Sequence, residues 1–193
     1  MRPRLWVPIV LTSEEARAIV VGTKTQMRRL VPLGDLEKGK GWASLETGDC
    51  LVAREPFSPA VDRGELDQAV VYRADGERND VPLWRNPRHL PESAVRCWLV
   101  VEAVRAEKLA DIDEADALAE GVPSIQRAGQ TLWLGERVVL PPVDPGRLVV
   151  HRGQLRARYT TARDALLARW AQQADITDAW VVVVTFRREA KKP

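Results

Sequence analysis

The 193-residue chain is short of the side chains that most reactive chemistry uses. It has two histidines, His89 and His151, and two cysteines, Cys50 and Cys97. No spacing among them suits a metal ion, so neither a metal nor another cofactor is expected. Walker A loop, dinucleotide fingerprint and nucleophile elbow are all missing. No apolar run approaches the roughly 20 residues that span a bilayer, and the longest, Trp180 to Val184, has strand length. The stretch Met1 to Leu11 carries two prolines and no small-residue cleavage site, so it does not read as a signal peptide. Both cysteines lie in apolar, strand-like stretches, which predicts reduced thiols and a cytoplasmic protein with no membrane partner. Lysine is scarce as well: of 29 basic residues six are lysine and 23 are arginine.

What is present is an ordinary globular composition, 45% hydrophobic and 29% charged with a net charge of +2. That balance excludes global disorder, and a chain this long buries roughly 70% of its unfolded surface without disulfides. One domain over residues 1–193 is expected, with a frayed tail at 190–193. Arginine favours planar, bidentate contacts with phosphate, so its excess suits a nucleic-acid surface as well as a GC-rich coding sequence. The charges are also segregated. Glu102 to Glu120 holds seven acids against Arg105 and Lys108, whereas Arg147 to Arg169 holds six arginines against Asp164. That pattern gives either two opposed charged faces or simply solvated runs.

Local signals place the elements. Thr12-Ser-Glu-Glu15 is a capping box, Ala16, Ile19 and Val20 share a face, and Gly22 supplies a left-handed stop, so a helix spans Leu11 to Gly22. A loop and an extended segment follow through Val31. Strands are expected at Cys50 to Arg54, Gln68 to Ala74, Arg96 to Val104 and Trp180 to Arg188. A second helix runs from Asp111 to Gly121 with Asp113 as cap, and a third from Thr161 to Gln173. Residues 123–160 carry turns at Gly135, Pro141-Pro142 and Asp144-Pro-Gly146 around Val138-Val139 and Val149-Val150, which reads as a hairpin-like insertion. Five or six strands with about three short helices and no long βαβ crossovers predict an α+β fold built on a mixed β-barrel.

Lys24 stands directly after the helix-ending glycine, in Gly22-Thr-Lys-Thr-Gln-Met-Arg-Arg29. A lysine fixed at such a turn binds phosphate as a point charge, or, when desolvated, acts as a base; the plain alternative is a solvated loop lysine. Arg28 and Arg29 beside it, and Arg54, Arg88 and His89 elsewhere, extend the candidate anion contacts. Trp84 in the proline-rich loop, or Trp42, would stack a base, worth about 1–3 kcal/mol. Arg54 with Glu55 reads equally as a buried ion pair or a ligand contact.

The segment Ala18 to Arg29 resembles the opening signature of the ASCH domain, a PUA-like β-barrel superfamily, and in particular its phage and prophage members. Gly48-Asp-Cys-Leu-Val-Ala-Arg-Glu55, Tyr72-Arg-Ala-Asp75, Trp84 to Pro91, Arg96, Asp111 to Val122 and Trp180 to Arg188 are similar to its later landmarks, in the right order. Residues 123–160 are not covered. The resemblance implies a PUA-like barrel with a cleft lined by the lysine loop, and RNA, a modified nucleoside or a nucleotide as ligand, with DNA also open. Some ASCH members are amidohydrolases that deacylate N4-acetylcytidine with a Lys, a Thr three residues later and a Glu on the second helix; another branch is linked to ribonuclease activity. Carried over by position, the lysine is Lys24 and the glutamate Glu120, but the nucleophile position holds Met27, whose thioether cannot perform acyl transfer. Thr25, or water with Lys24 or Glu120 as base, are the remaining routes. A third reading is a phage protein whose insertion contacts another protein.

Overall fold

The computed structural model of the chain describes residues 4–59, 70–76, 83–137 and 156–193. The first strand, β1 (Trp6–Val10), enters helix α1 (Ser13–Val20) through the expected cap: the Thr12 hydroxyl accepts from the Glu15 N–H, and the Glu15 carboxylate accepts from the Thr12 N–H. Gly22 stops the helix at φ +81° and releases the chain into β2 (Gln26–Leu30). A short helix, α2 (Leu33–Glu37), follows Pro32; nothing in its sequence announced it, because it is one turn long and has no buried residue. Then come β3 (Cys50–Arg54), the small ladder of β4 (Phe57–Pro59) with β5 (Val70–Tyr72), and the long β6 (Cys97–Lys108). Of the strand expected at Gln68 to Ala74, positions 68 and 69 lie outside the described residues. Helix α3 (Glu114–Ala119) is capped by Asp113 as expected. The hairpin β7 (Ser124–Arg127) and β8 (Gln130–Arg137) is joined by β9 (Arg156–Tyr159), helix α4 (Ala162–Trp170) capped by Thr161, and the closing β10 (Trp180–Glu189).

The protein is α+β. Its main sheet has the order β1-β3-β6-β10-β2 and curls into a half-barrel. It is mixed, since β1 runs parallel to β3 while the other neighbours are antiparallel. The four valines of β10 show why an unbroken apolar run marks a central strand. Val182 and Val184 face the core under α1, whereas Val181 and Val183 face a second core under α3 and α4. On β6, Thr185 opposite Ala103 is followed by Phe186 opposite Val101, so Glu102 is an extra residue. This bulge lets Val101 and Val104, three positions apart, both face the α1 core, and it adds local twist. Cys50 and Cys97 are buried on opposite faces of the sheet, and burial pushes both thiols up.

Two clamps hold loops to this sheet. Glu55, 1% exposed, takes a bidentate pair from Arg96 at 2.8 and 3.0 Å. Arg96 also reaches Asp75 and lies 3.9 Å from the Tyr72 ring centroid. Burial alone would lower the Arg96 pKa, but its bonds to Glu55 and Asp75 outweigh it and hold the guanidinium charged. The Arg54–Glu55 pair considered from sequence does not form: adjacent strand residues point to opposite faces, and Arg54 turns the other way. Lys192, in the tail expected to fray, reaches Glu92 at 2.8 Å and sits 5.0 Å from the Trp6 ring centroid.

The described part of the expected insertion is a three-stranded sheet whose tight turn is not at Gly135, and the turns expected at 141–142 and 144–146 lie outside the described residues. Ala128 at φ +50° and Gly129 at φ +78° make the two-residue hairpin loop. Gly135 is not a turn residue; it lies within β8 under the Tyr159 ring, where a Cβ would come within 2.3 Å of that ring. The two valine pairs expected as strands lie outside the described residues. Since a positive φ costs an alanine roughly 1 kcal/mol, Ala128→Asn should stabilise the protein by about 0.5–1 kcal/mol, read as a rise in thermal midpoint; no change would mean that the turn is not fixed in this form.

Candidate functional site

Strand β2 sends alternate side chains to two different environments, and this divides the candidate site residues into two groups. Lys24, just before the strand, and Arg28 within it face α3. Met27 and Arg29 face the other side.

On the α3 side the charges form a closed network. Lys24 Nζ donates to Glu120 Oε2 at 2.6 Å and to the Glu120 carbonyl at 3.0 Å. Arg28, 1% exposed, donates to Glu120 Oε1 at 3.0 Å, to Glu107 Oε1 at 2.9 Å and to Asp116 Oδ2 at 2.9 Å. Arg105 joins the outer side, reaching Glu107 at 2.9 Å and Asp116 at 2.7 Å. Three cations thus meet three carboxylates. Burial works against the charged form of Asp116, but the Arg105 hydrogen bond and the Arg28 charge outweigh it and hold its carboxyl below the ordinary range. The backbone is fitted to the same contact: Lys24 bridges Glu120, and Thr25 N–H donates to the Ala119 carbonyl at 2.8 Å. Gly121 closes α3 at φ +70°, where a Cβ would meet the Lys24 Cβ at 2.8 Å, so both the conformation and the space demand glycine.

Lys24 and Glu120 are therefore within proton-transfer distance, yet their side chains are only 4% and 7% exposed. Lys24 is neither the solvated loop lysine nor a phosphate-facing one, and Arg28 likewise has its donors committed to carboxylates. Thr25 is exposed. Met27, at the position of the expected nucleophile, is 0% exposed and packed in the α1 core with Ile19, Leu51 and Val184. A hydroxyl placed there would meet apolar side chains and no substrate.

The other face of β2 opens on a cleft of about 640 Å³. It lies at the seam between the two outer strands of the half-barrel: Pro8, Ile9 and Val10 of β1 on one side, Arg29 of β2 on the other, with Trp42, Arg54 and Arg88 completing it. Leu5 C=O and Leu11 N–H both bond toward β3, so the strand's alternation turns the backbone of Pro8 and Val10 to the open edge. Pro8 has no N–H to offer there, which suits an edge strand. Arg29 lies over Trp42 with its guanidinium carbon 5.2 Å from the ring centroid. Arg54, at the end of β3, donates from Nη1 to the Arg88 carbonyl at 2.8 Å, while its Nε is buried with no hydrogen-bond partner. Arg88 sits on a single 3-10 turn, Pro87–His89, fixed by Asn86 accepting the Arg88 N–H and by buried Leu90. Among the described residues no carboxylate pairs with Arg29, Arg54 or Arg88.

Of the residues singled out from sequence, the structure brings Arg29, Arg54 and Arg88 together and places exposed His89 beside Arg88. Lys24, Arg28 and Glu120 form the separate buried group. Trp84 is half-buried with Arg73 over its ring at 5.9 Å, and does not line this cleft. Trp42 lines it instead. The edge residues Pro8 to Val10 were missed; a proline in an otherwise apolar strand is the one signal that marked them. Among the described residues no group of His, Cys, Asp and Glu could hold a metal ion, and no helix is long and apolar enough to cross a membrane.

Two outcomes are expected. Glu120→Gln removes the carboxylate that two buried cations share, and should cost about 3–5 kcal/mol in chemical denaturation; Met27→Thr should also lose stability and gain no deacylase activity. Because the Asp116 carboxyl is depressed in the folded state, its contribution is complete above the unfolded carboxylate range and is lost as pH falls through the folded value. Stability should thus decline on acidification below about pH 4, and Asp116→Asn should be less stable at neutral pH with a shallower acid limb in pH-dependent unfolding.

Comparison with protein-family models, with curated proteins and with solved structures finds no match.

Proposed function

We propose that the protein binds nucleic acid or a nucleotide, with RNA or a modified base as the favoured class, through the cleft at the seam of the half-barrel. The observation that carries this reading is the cluster of Arg29, Arg54 and Arg88 around half-buried Trp42. Cations that form no ion pair with a carboxylate of the described residues attract an anion. An aromatic face at the same spot suits a planar base, and Arg stacked on Trp extends the platform. The half-barrel itself is compatible with the PUA-like barrel that the ASCH resemblance implies, and the cleft lies beside the strand that follows the lysine loop.

A second reading, a hydrolase of the N4-acetylcytidine or ribonuclease kind, is favoured by the 2.6 Å contact between Lys24 and Glu120. Against it stand their burial, the Arg28 pairing that occupies the second Glu120 oxygen, and the enclosed Met27.

The two readings separate in one experiment. The purified protein is incubated with N4-acetylcytidine and with a mixed single-stranded RNA, beside Trp42→Ala, Arg88→Ala and Lys24→Ala. The binding reading expects no product, and RNA retention that weakens with salt. Retention should fall about 5- to 100-fold in Trp42→Ala, the loss of one stacked base, and less in Arg88→Ala. Product that disappears in Lys24→Ala, with retention indifferent to Trp42, would overturn it in favour of the hydrolase.

A further inference from the structure

Resting on the nucleotide-binding reading, we infer that the cleft selects a phosphomonoester on a nucleoside, meaning a free nucleotide or a phosphorylated strand end, over the internal phosphodiesters of a chain. The first argument is charge. Arg28, Arg96, Arg105 and Arg187 all have carboxylate partners, and Arg17 and Arg163 donate to backbone carbonyls. Arg29, Arg54 and Arg88 form no direct ion pair with a carboxylate of the described residues, Glu92 reaching Arg54 only as a more distant charge, and all three line the same cleft. An internal phosphodiester brings one negative charge, whereas a phosphomonoester brings about −1.5 to −2 at neutral pH and three acceptor oxygens. The guanidiniums of two residues linked to one another in the cleft, Arg54 and Arg88, match the second more closely than the first.

The second argument is pre-organisation. The Arg54 Nη1 contact to the Arg88 carbonyl fixes one arm of its guanidinium and ties the two arginines together. Nε of Arg54 is buried without a partner among the described residues. A buried charged donor with no acceptor is a costly arrangement in a folded protein, and an anionic oxygen held by Nε and Nη2 together would relieve it in the geometry guanidinium favours. The third argument is size. At about 640 Å³ the cleft is of the order of a small-molecule site, roughly 300–1,000 Å³. It takes one nucleotide with its phosphate at Arg54 and Arg88 and its base over Arg29 and Trp42, and not a duplex.

The test measures affinity for four probes at 0.1 M salt (about a 10 Å screening length): hexauridylate with a 5′-phosphate, with a 3′-phosphate, with neither, and uridine 5′-monophosphate. A phosphorylated end should bind at least about tenfold tighter than the hydroxyl-ended hexamer. Arg88→Gln, an exposed side chain whose loss leaves the fold intact by circular dichroism, should erase that advantage, and so should Arg54→Gln. The monophosphate binding as tightly as the phosphorylated hexamer would identify a free nucleotide as the ligand; preference for the hexamer would identify a strand end. Equal affinity for phosphorylated and hydroxyl-ended hexamers would overturn this inference and leave the nucleic-acid reading standing. Failure of all four probes to bind at millimolar concentration would overturn both.

Discussion

Arg28 is the side chain on which the arrangement of this protein turns. It is a wholly buried guanidinium that binds Glu107 of β6, Asp116 within α3 and Glu120 at the C-terminal end of that helix, so one residue of β2 fastens both elements. Taking such charges out of water is expensive, and replacing a buried ionic cluster with well-packed apolar groups is often neutral for stability. What the cluster does supply is direction. With Arg28 held against α3, strand alternation forces Met27 into the α1 core and Arg29 to the cleft side. A slip of one residue would leave a methionine facing three carboxylates and an arginine inside an apolar core, so the ionic network defines the register of β2 on β10.

The second clamp works in the same manner. Glu55 is buried against Arg96, and Asp75 and Tyr72 close over that guanidinium, so the short loops at residues 55 and 72–76 are tied to the start of β6. Arg17 of α1 adds a bond to the Ala74 carbonyl at 2.7 Å. Because Glu55 is turned inward to Arg96, its neighbour Arg54 is turned toward the seam. Some residues of the segments that resemble ASCH landmarks form two structural clamps, one around Lys24, Arg28 and Glu120, the other around Glu55, Asp75 and Arg96, while Arg29, Arg54 and Arg88 of the same segments line the cleft. The cleft is what those clamps leave over.

That division explains why the cleft carries uncompensated charge. Glu107 of β6, Asp116 of α3 and Glu120 at the end of that helix belong to the Arg28 network, and Glu114 accepts from the Ala162 and Arg163 N–H groups at the start of α4. Of the segregated charge visible along the chain, the acidic run keeps Glu102, Asp111, Asp113 and Glu114 exposed, and positions 147 and 152 of the basic run lie outside the described residues. Three acids of the acidic stretch, Glu107, Asp116 and Glu120, are counter-charges of Arg28, and no carboxylate of the described residues forms a direct ion pair with the arginines at the seam. Fields from partly desolvated cations in a concave site act on an anion more strongly than the same charges spread over a surface.

The sequence by itself determined the elements whose signals are local. The Thr12–Glu15 capping box, the Asp113 and Thr161 caps, the Gly22 stop and the valine run of β10 each act within a few residues, so chain order alone reveals them. The class followed too: short strands and short helices without crossovers, hence α+β. Other features depend on partners far away in the chain. Lys24 and Arg28 look like anion-binding residues until Glu120 and Glu107 arrive from 96 and 79 positions on. Trp84, beside Arg85, Arg88 and His89, reads as the better stacking candidate until the seam forms beside Trp42 instead. The loop Ala128-Gly129 outcompetes Gly135 as a turn because Tyr159 packs over the latter. Short-range hydrogen bonding and side-chain periodicity are written in consecutive residues; which charges neutralise one another, and which are left facing a cleft, is decided only when the sheet brings distant carboxylates to some arginines and none to others.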